Sequence, residues 1–145
     1  MNKREIEEQI PIAIDSINEF INNELFYKKD DKSFGLIPKE YNGYISNFGA
    51  SIIQSGLIST VAFFESEKSN SNSDKRVLTK LILQVIQEYK KLQVKDVESL
   101  LGYVLDNKNI AEEIEEEIIN ATIAIKLAIR VFKFTENSES QVSNL

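Results

Sequence analysis

The chain has 145 residues, of which 42% are hydrophobic and 28% charged; it carries a net charge of −6 and contains no histidine, cysteine or tryptophan. Such a length fits one domain large enough to bury a core. Without cysteine there is no disulfide framework and no thiol chemistry, and without histidine as well there is no basis for zinc sites, haem ligation or Ser-His and Cys-His catalysis.

Apolar residues recur at helical spacing from the start. Ile6, Ile10, Ala13, Ile17 and Phe20 fall three to four apart, so residues 3–25 are expected to form an amphipathic helix, with Pro11 kinking it or marking a late start. Residues 27–39, YKKDDKSFGLIPK, mix charges with Gly and Pro and predict a loop. Residues 40–66 form a central helical region that a break near Gly43 or Gly49 could divide. Within it, Tyr44 to Lys68 reads as one apolar helix with Gly56 in the middle. An interior glycine costs about 1 kcal/mol relative to alanine, so Gly56 suggests close approach of another backbone or a ligand. Ser51, Ser55 and Ser59 would line one face of that helix. The SNSNS run at 69–73 predicts a flexible connector.

A third amphipathic segment covers Asp74 to Lys91, with Val77, Leu78, Leu81, Ile82, Val85, Ile86 and Tyr89 on one face. A shorter one spans 96–105 through Val97, Leu100, Leu101 and Val104. The last helix starts after Asn109, where Asn109 and Glu112 have capping-box spacing and further acidic residues suit the dipole. It is expected to reach Phe134, nearly all apolar and therefore central. The expected fold is all-α, a compact bundle of about five to six helices, with one helical domain over 1–134 and a polar, flexible tail over 135–145. No segment is long and apolar enough to span a membrane, and the charged N-terminus MNKREIEEQI lacks a signal-peptide core, so a cytoplasmic location is expected.

The charge is unevenly spread. Residues 1–24 carry 2 basic and 6 acidic groups, residues 25–95 carry 11 and 7, residues 96–125 carry 1 and 8, and residues 126–145 carry 3 and 2. A two-signed surface of this kind can take a polyanion on one side and basic proteins on another. Lys126, Arg130 and Lys133 lie at i, i+4, i+7 of the expected last helix and would form a stripe able to track up to about three phosphates. The alternative is a solvated helix face, or pairing with acidic groups of the first helix. Lys68, Lys75, Arg76 and Lys80 surround the connector and allow the same two readings. Lys90, Lys91 and Lys95 suit a helix C-terminus. The glutamates at 112, 113, 115, 116 and 117 read as a solvated helix start, because carboxylate metal bundles need histidine partners. Neither a P-loop nor a GxGxxG cluster is present. Gln54, Ser55 and Gly56 serve either tight packing within the domain or contact with a neighbouring subunit, and one of Phe63 and Phe64, here assigned as Phe64, would face outward as an apolar anchor.

The order Tyr44, Ala50, Ile53, Gln54-Ser55-Gly56-Leu57, Val61-Ala62-Phe63, Ser66, Lys68 resembles the central signature of the small subunit of type III-B CRISPR effector complexes, the fifth Cmr protein. Ala50 stands where proline is common in that family and Ser55 where asparagine is common, and the long C-terminal helix lacks the family's tryptophan. The resemblance implies a non-enzymatic small subunit that needs no cofactor and no small-molecule substrate. It would stack in several copies beside other effector subunits along the guide RNA and target RNA, away from any membrane, and would contact target phosphates for antiviral defence. Under it, the RNA-binding residues would be Lys126, Arg130, Lys133, Lys68, Lys75 and Arg76, and the subunit interface Gln54, Ser55, Gly56 and Phe64. The alternatives are a type III-A small subunit and a helical adaptor that binds only protein.

Overall fold

In the computed structural model, which describes residues 1–66, 73–92 and 97–136, helix α1 spans Lys3–Asn22. Asn2 caps it, its Oδ1 accepting the Glu5 amide at 3.2 Å. Ile6, Ala13, Ile17, Phe20 and Ile21 are buried on one side, as the spacing predicts. Pro11 neither delays nor ends the helix. Proline removes one intrahelical hydrogen bond, to the carbonyl of Glu7. Pro11 and Glu7 are both exposed, so that carbonyl lies on the wet side of the helix, where water can satisfy it.

The central region is two helices, α2 over Glu40–Ser55 and α3 over Leu57–Glu65. The break is at Gly56, not at Gly43 or Gly49, which remain inside α2. Gly56 has φ +94° and ψ 161°, a conformation essentially reserved for glycine. A Cβ placed there would meet nothing within 4 Å. Within the domain no close approach calls for glycine here; the backbone angle does. The same break takes Ser59 off the serine row of α2.

Helix α4 spans Arg76–Lys90, α5 Leu100–Asp106 and α6 Ala111–Ala128. Ser99 caps α5, its Oγ accepting the Gly102 amide at 3.0 Å. The Glu65 carboxylate adds a second cap from α3, accepting the Leu100 amide at 3.1 Å and the Leu101 amide at 3.3 Å. The Asn109–Glu112 capping box does not form. A 3₁₀ turn over Lys108–Ile110 precedes α6, whose N-cap is Ile110 with no side-chain bond. Already inside that turn, Asn109 lacks the extended backbone an N-cap uses.

Helix α6 packs on α1, α2 and α4, while α3 lies against α2, α4 and α5. Its Ile114, Ile118, Ala121, Ala124, Ile125 and Ala128 are fully buried, which places it at the centre as expected. It does not reach Phe134. A 3₁₀ turn covers Ile129–Val131, and Phe132 turns extended. The Ile37 amide donates to the Lys133 carbonyl and the Thr135 amide to the Ile37 carbonyl, both at 2.9 Å, forming a parallel bridge between Ile37 and Phe134. Val131, Phe132 and Phe134 are β-branched or aromatic, residue types that fit extended backbone, and the buried Ile37 offers the run both a donor and an acceptor. Thr135 also accepts the Lys39 amide on its Oγ1 at 3.1 Å. Among the described residues the fold is all-α, six α-helices around one hydrophobic cluster, and no helix is long and apolar enough to cross a membrane.

Candidate nucleic-acid interface

At the C-terminal end of α6 the chain carries three cations while it passes from helix to 3₁₀ turn to extended segment within eight residues. Lys126 sits in the last turn of α6, where its charge complements the helix dipole. Arg130 lies in the 3₁₀ turn and Lys133 in the extended segment. All three are exposed, and none forms an ion pair among the described residues. They are therefore not one helical stripe, because the helix on which that spacing depended ends at Ala128. Their backbone follows a turn, and the Ile37–Phe134 bridge joins that turn to the loop carrying Lys28, Lys29, Lys32 and Lys39. The lysines of this loop were not singled out from the sequence. Their density in a Gly- and Pro-bearing loop was visible, but its docking against residues 133–135 depends on a pairing 96 to 98 residues apart in the chain, as the Lys39–Thr135 and Ile37–Thr135 bonds show.

The second basic group divides differently. Lys68 lies outside the described residues. Arg76 grips Asp74 through its Nε at 3.0 Å and its Nη2 at 2.8 Å, and this bonding holds the Asp74 carboxyl below its ordinary value of 3.8. Arg76 thus also serves the start of α4, since the Arg76 amide donates to the same carboxylate at 2.9 Å. The Lys75 Nζ stands 4.9 Å from the Phe63 ring centre and 5.5 Å from that of Tyr44, a cation held over two aromatic faces. The Tyr41 hydroxyl donates to the Asp74 carbonyl at 2.6 Å, fixing this corner to α2; burial, then the Asp74 charge, push the Tyr41 phenol far above its ordinary range.

Of the expected interface residues, Gln54, Ser55 and Gly56 are exposed at the α2–α3 break. Phe64 is not a surface anchor. It is only 3% exposed and packs edge-on against Phe48 with ring centres 5.1 Å apart. Adjacent helical residues diverge by about 100°, so the outward member of the pair is Phe63, 60% exposed. Ile53, 84% exposed, stands at the C-terminal end of α2 beside the break. It was legible as the residue off the face set by Ile45, Phe48 and Ile52.

The opposite sign collects along α1 and the N-terminal half of α6. The Glu116 carboxylate meets the N-terminal ammonium at 3.5 Å. Asn120, wholly buried, accepts the Asn2 amide and donates to Glu5, both at 3.1 Å. Glu117 accepts from Lys90 at 3.0 Å and from the Tyr103 hydroxyl at 2.8 Å, linking α4, α5 and α6. Burial opposes the charge of Lys90, but its bonds to Glu117 and Tyr103 outweigh that and raise its pKa above the ordinary 10.5. Among the described residues no cluster of carboxylates is arranged to hold a metal.

An all-α protein with a cationic corner, an acidic flank and exposed apolar side chains at a helix break has the surfaces of an assembly subunit. Residues 8–126 match the family described as CRISPR-associated protein (Cas_Cmr5), and the chain belongs to that family. It is accordingly a non-catalytic small subunit of the type III-B CRISPR (Cmr) effector complex, a partner of the other Cmr subunits and the guide RNA. Comparison with curated proteins and with solved structures gives no match.

Proposed function

We propose that this subunit contacts the phosphates of the target strand through the corner formed by Lys126, Arg130 and Lys133, with Lys75 and Arg76 at the start of α4, and Lys68 outside the described residues, as further contacts. The observation that carries the reading is the exposure of Lys126, Arg130 and Lys133 without carboxylate partners among the described residues, in a chain whose other cations include several already paired. Cations left in water stay available for an anion, and they bind a phosphate backbone without reading its sequence. Base pairing with the guide supplies the sequence, as in other RNA-guided systems. Several copies side by side would add weak contacts into a strong one, each tethered to its neighbours at high effective concentration.

Exchanging Lys126→Glu together with Arg130→Glu tests the proposal in the assembled complex. Target RNA affinity should fall, and the slope of log affinity against log salt should shrink by about 1.4 for two lost contacts. The isolated domain should stay folded and lose about 1–2 kcal/mol at most, because both side chains are exposed and the main cost is reversing the Lys126 charge at the end of α6. An unchanged slope would remove these residues from RNA binding.

The exposed Ile53 beside Gln54, Ser55 and Gly56 supports a separate protein-binding face at the α2–α3 break. Affinity at such an apolar face should hardly respond to salt, which distinguishes it from the phosphate contacts.

A further inference from the structure

Gln9 is 3% exposed, and its Oε1 is buried with no hydrogen-bond partner. A buried polar group without a partner is costly and rare in a well-packed protein. Gln9 lines a cleft of about 170 Å³ where α1, α4 and α6 meet, together with Glu5, Ile86, Tyr89, Lys90 and Glu117. It is the deepest polar wall of that cleft, since Glu5, Tyr89, Lys90 and Glu117 are all less buried.

The wall is rich in acceptors. Lys90 is committed to Glu117 and to the Tyr103 hydroxyl, at 3.0 and 3.2 Å. Glu5 gives one oxygen to Asn120. Glu8 supports Tyr89 from the side, and it accepts from Arg4 at 3.2 Å. The balance around the opening is three carboxylates, Glu5, Glu8 and Glu117, against two cations, Arg4 and Lys90. The Gln9 Oε1 itself is inaccessible, so a guest reaches it only when the side-chain amide turns about its last, soft bond, which brings the oxygen to the cleft and sends the N–H groups inward. A guest must therefore bring several donors, carry positive charge and have a flat face for the Tyr89 ring.

We propose that this cleft receives an arginine side chain from a protein partner, its guanidinium held between Glu5, Gln9 and the Tyr89 ring. The guanidinium is planar, has five donors in a fixed fork and stacks on aromatic faces, which a lysine ammonium does not. The volume favours a side chain over a free ligand, because pockets for whole small molecules usually start near 300 Å³. The partner is a protein because the chain is a subunit of an assembly. The inference does not rest on the phosphate contacts, which lie at the other end of α6.

The test uses the full chain, isotope-labelled, titrated with N-acetyl-arginine amide and, separately, with the neutral analogue N-acetyl-citrulline amide. Saturable, millimolar shifts of the Gln9 side-chain amide and Tyr89 ring with the arginine probe alone are expected. Gln9→Met keeps the volume and removes the amide, and Glu5→Gln keeps the Asn120 bond and removes the charge. Each should weaken the probe about tenfold, and in the complete complex Gln9→Met should lower retention of the subunit. Equal shifts with both probes, or none with either and only water in the cleft, overturn the proposal. Probe binding with unchanged retention of Gln9→Met also overturns it, by assigning the cleft to a free guanidinium compound.

Discussion

At Gly56 a single residue sets the direction of everything up to Glu65. Its φ of +94° with ψ of 161° strains any residue with a Cβ, even in open space. Gly49, inside α2, also has open space around a Cβ but no positive φ. The two glycines should therefore respond with opposite sign. Gly56→Ala should cost about 1–3 kcal/mol, and Gly49→Ala should add about 0.5–1 kcal/mol by restricting the unfolded chain. Urea denaturation of the two variants checks both. Had Gly56 served a close approach, its cost would track side-chain size instead of appearing in full with alanine. The sequence showed that a glycine here was expensive and therefore retained for a reason. It did not show the reason, because glycine for a positive φ and glycine for close packing look identical in one dimension.

At the scale of elements, the amphipathic periods of α1 and α4 were legible because each keeps one apolar stripe and one polar face. The end of α6 was not. Its apolar residues surround the helix, so the pattern continues unchanged into Val131-Phe132-Lys133-Phe134, and only the distant Ile37 decides that this run becomes extended. Between elements, Lys90, Glu117 and Tyr103 hold α4, α5 and α6 together. Tyr103 is pushed up from its ordinary 10.0, first by burial and then by the Glu117 carboxylate, and Lys90 is held above 10.5. Both groups bind their protons more tightly in the folded chain than in the unfolded one. The stability they contribute is thus present in full below about pH 10 and lost as pH rises through their folded values. Thermal midpoints measured from pH 8 upward should fall above about pH 10, and Glu117→Gln should flatten that fall. An unaltered slope in Glu117→Gln would assign the alkaline loss to other groups, Tyr41 foremost.

On the scale of the whole molecule, the two-signed character was readable from the charge blocks, and it survives folding as a cationic corner and an acidic flank. What the blocks could not show was which cations are already in use. Arg76 is bonded to Asp74 two residues away and Lys90 to Glu117 on another helix, whereas Lys126, Arg130 and Lys133 stand in water; the first pairing depends on the local turn and the second on tertiary contact. The outward aromatic was ambiguous for a related reason: Phe63 and Phe64 are interchangeable until the break at Gly56 fixes the rotation of α3.

The reach of Glu65 across to α5 has a kinetic side. Seven residues are too few to hold a helix in water alone, so α5 depends on a carboxylate that is in place only while α3 is docked. Opening of α3 should release α5 with it, making the two a single unit of local unfolding. In Glu65→Ala the amides of Tyr103 and Val104 should exchange with deuterium about tenfold faster, as loss of a cap of about 1.4 kcal/mol implies, while those of α1 keep their native rates. Equal acceleration in α1 would mean instead that the bundle opens only as a whole.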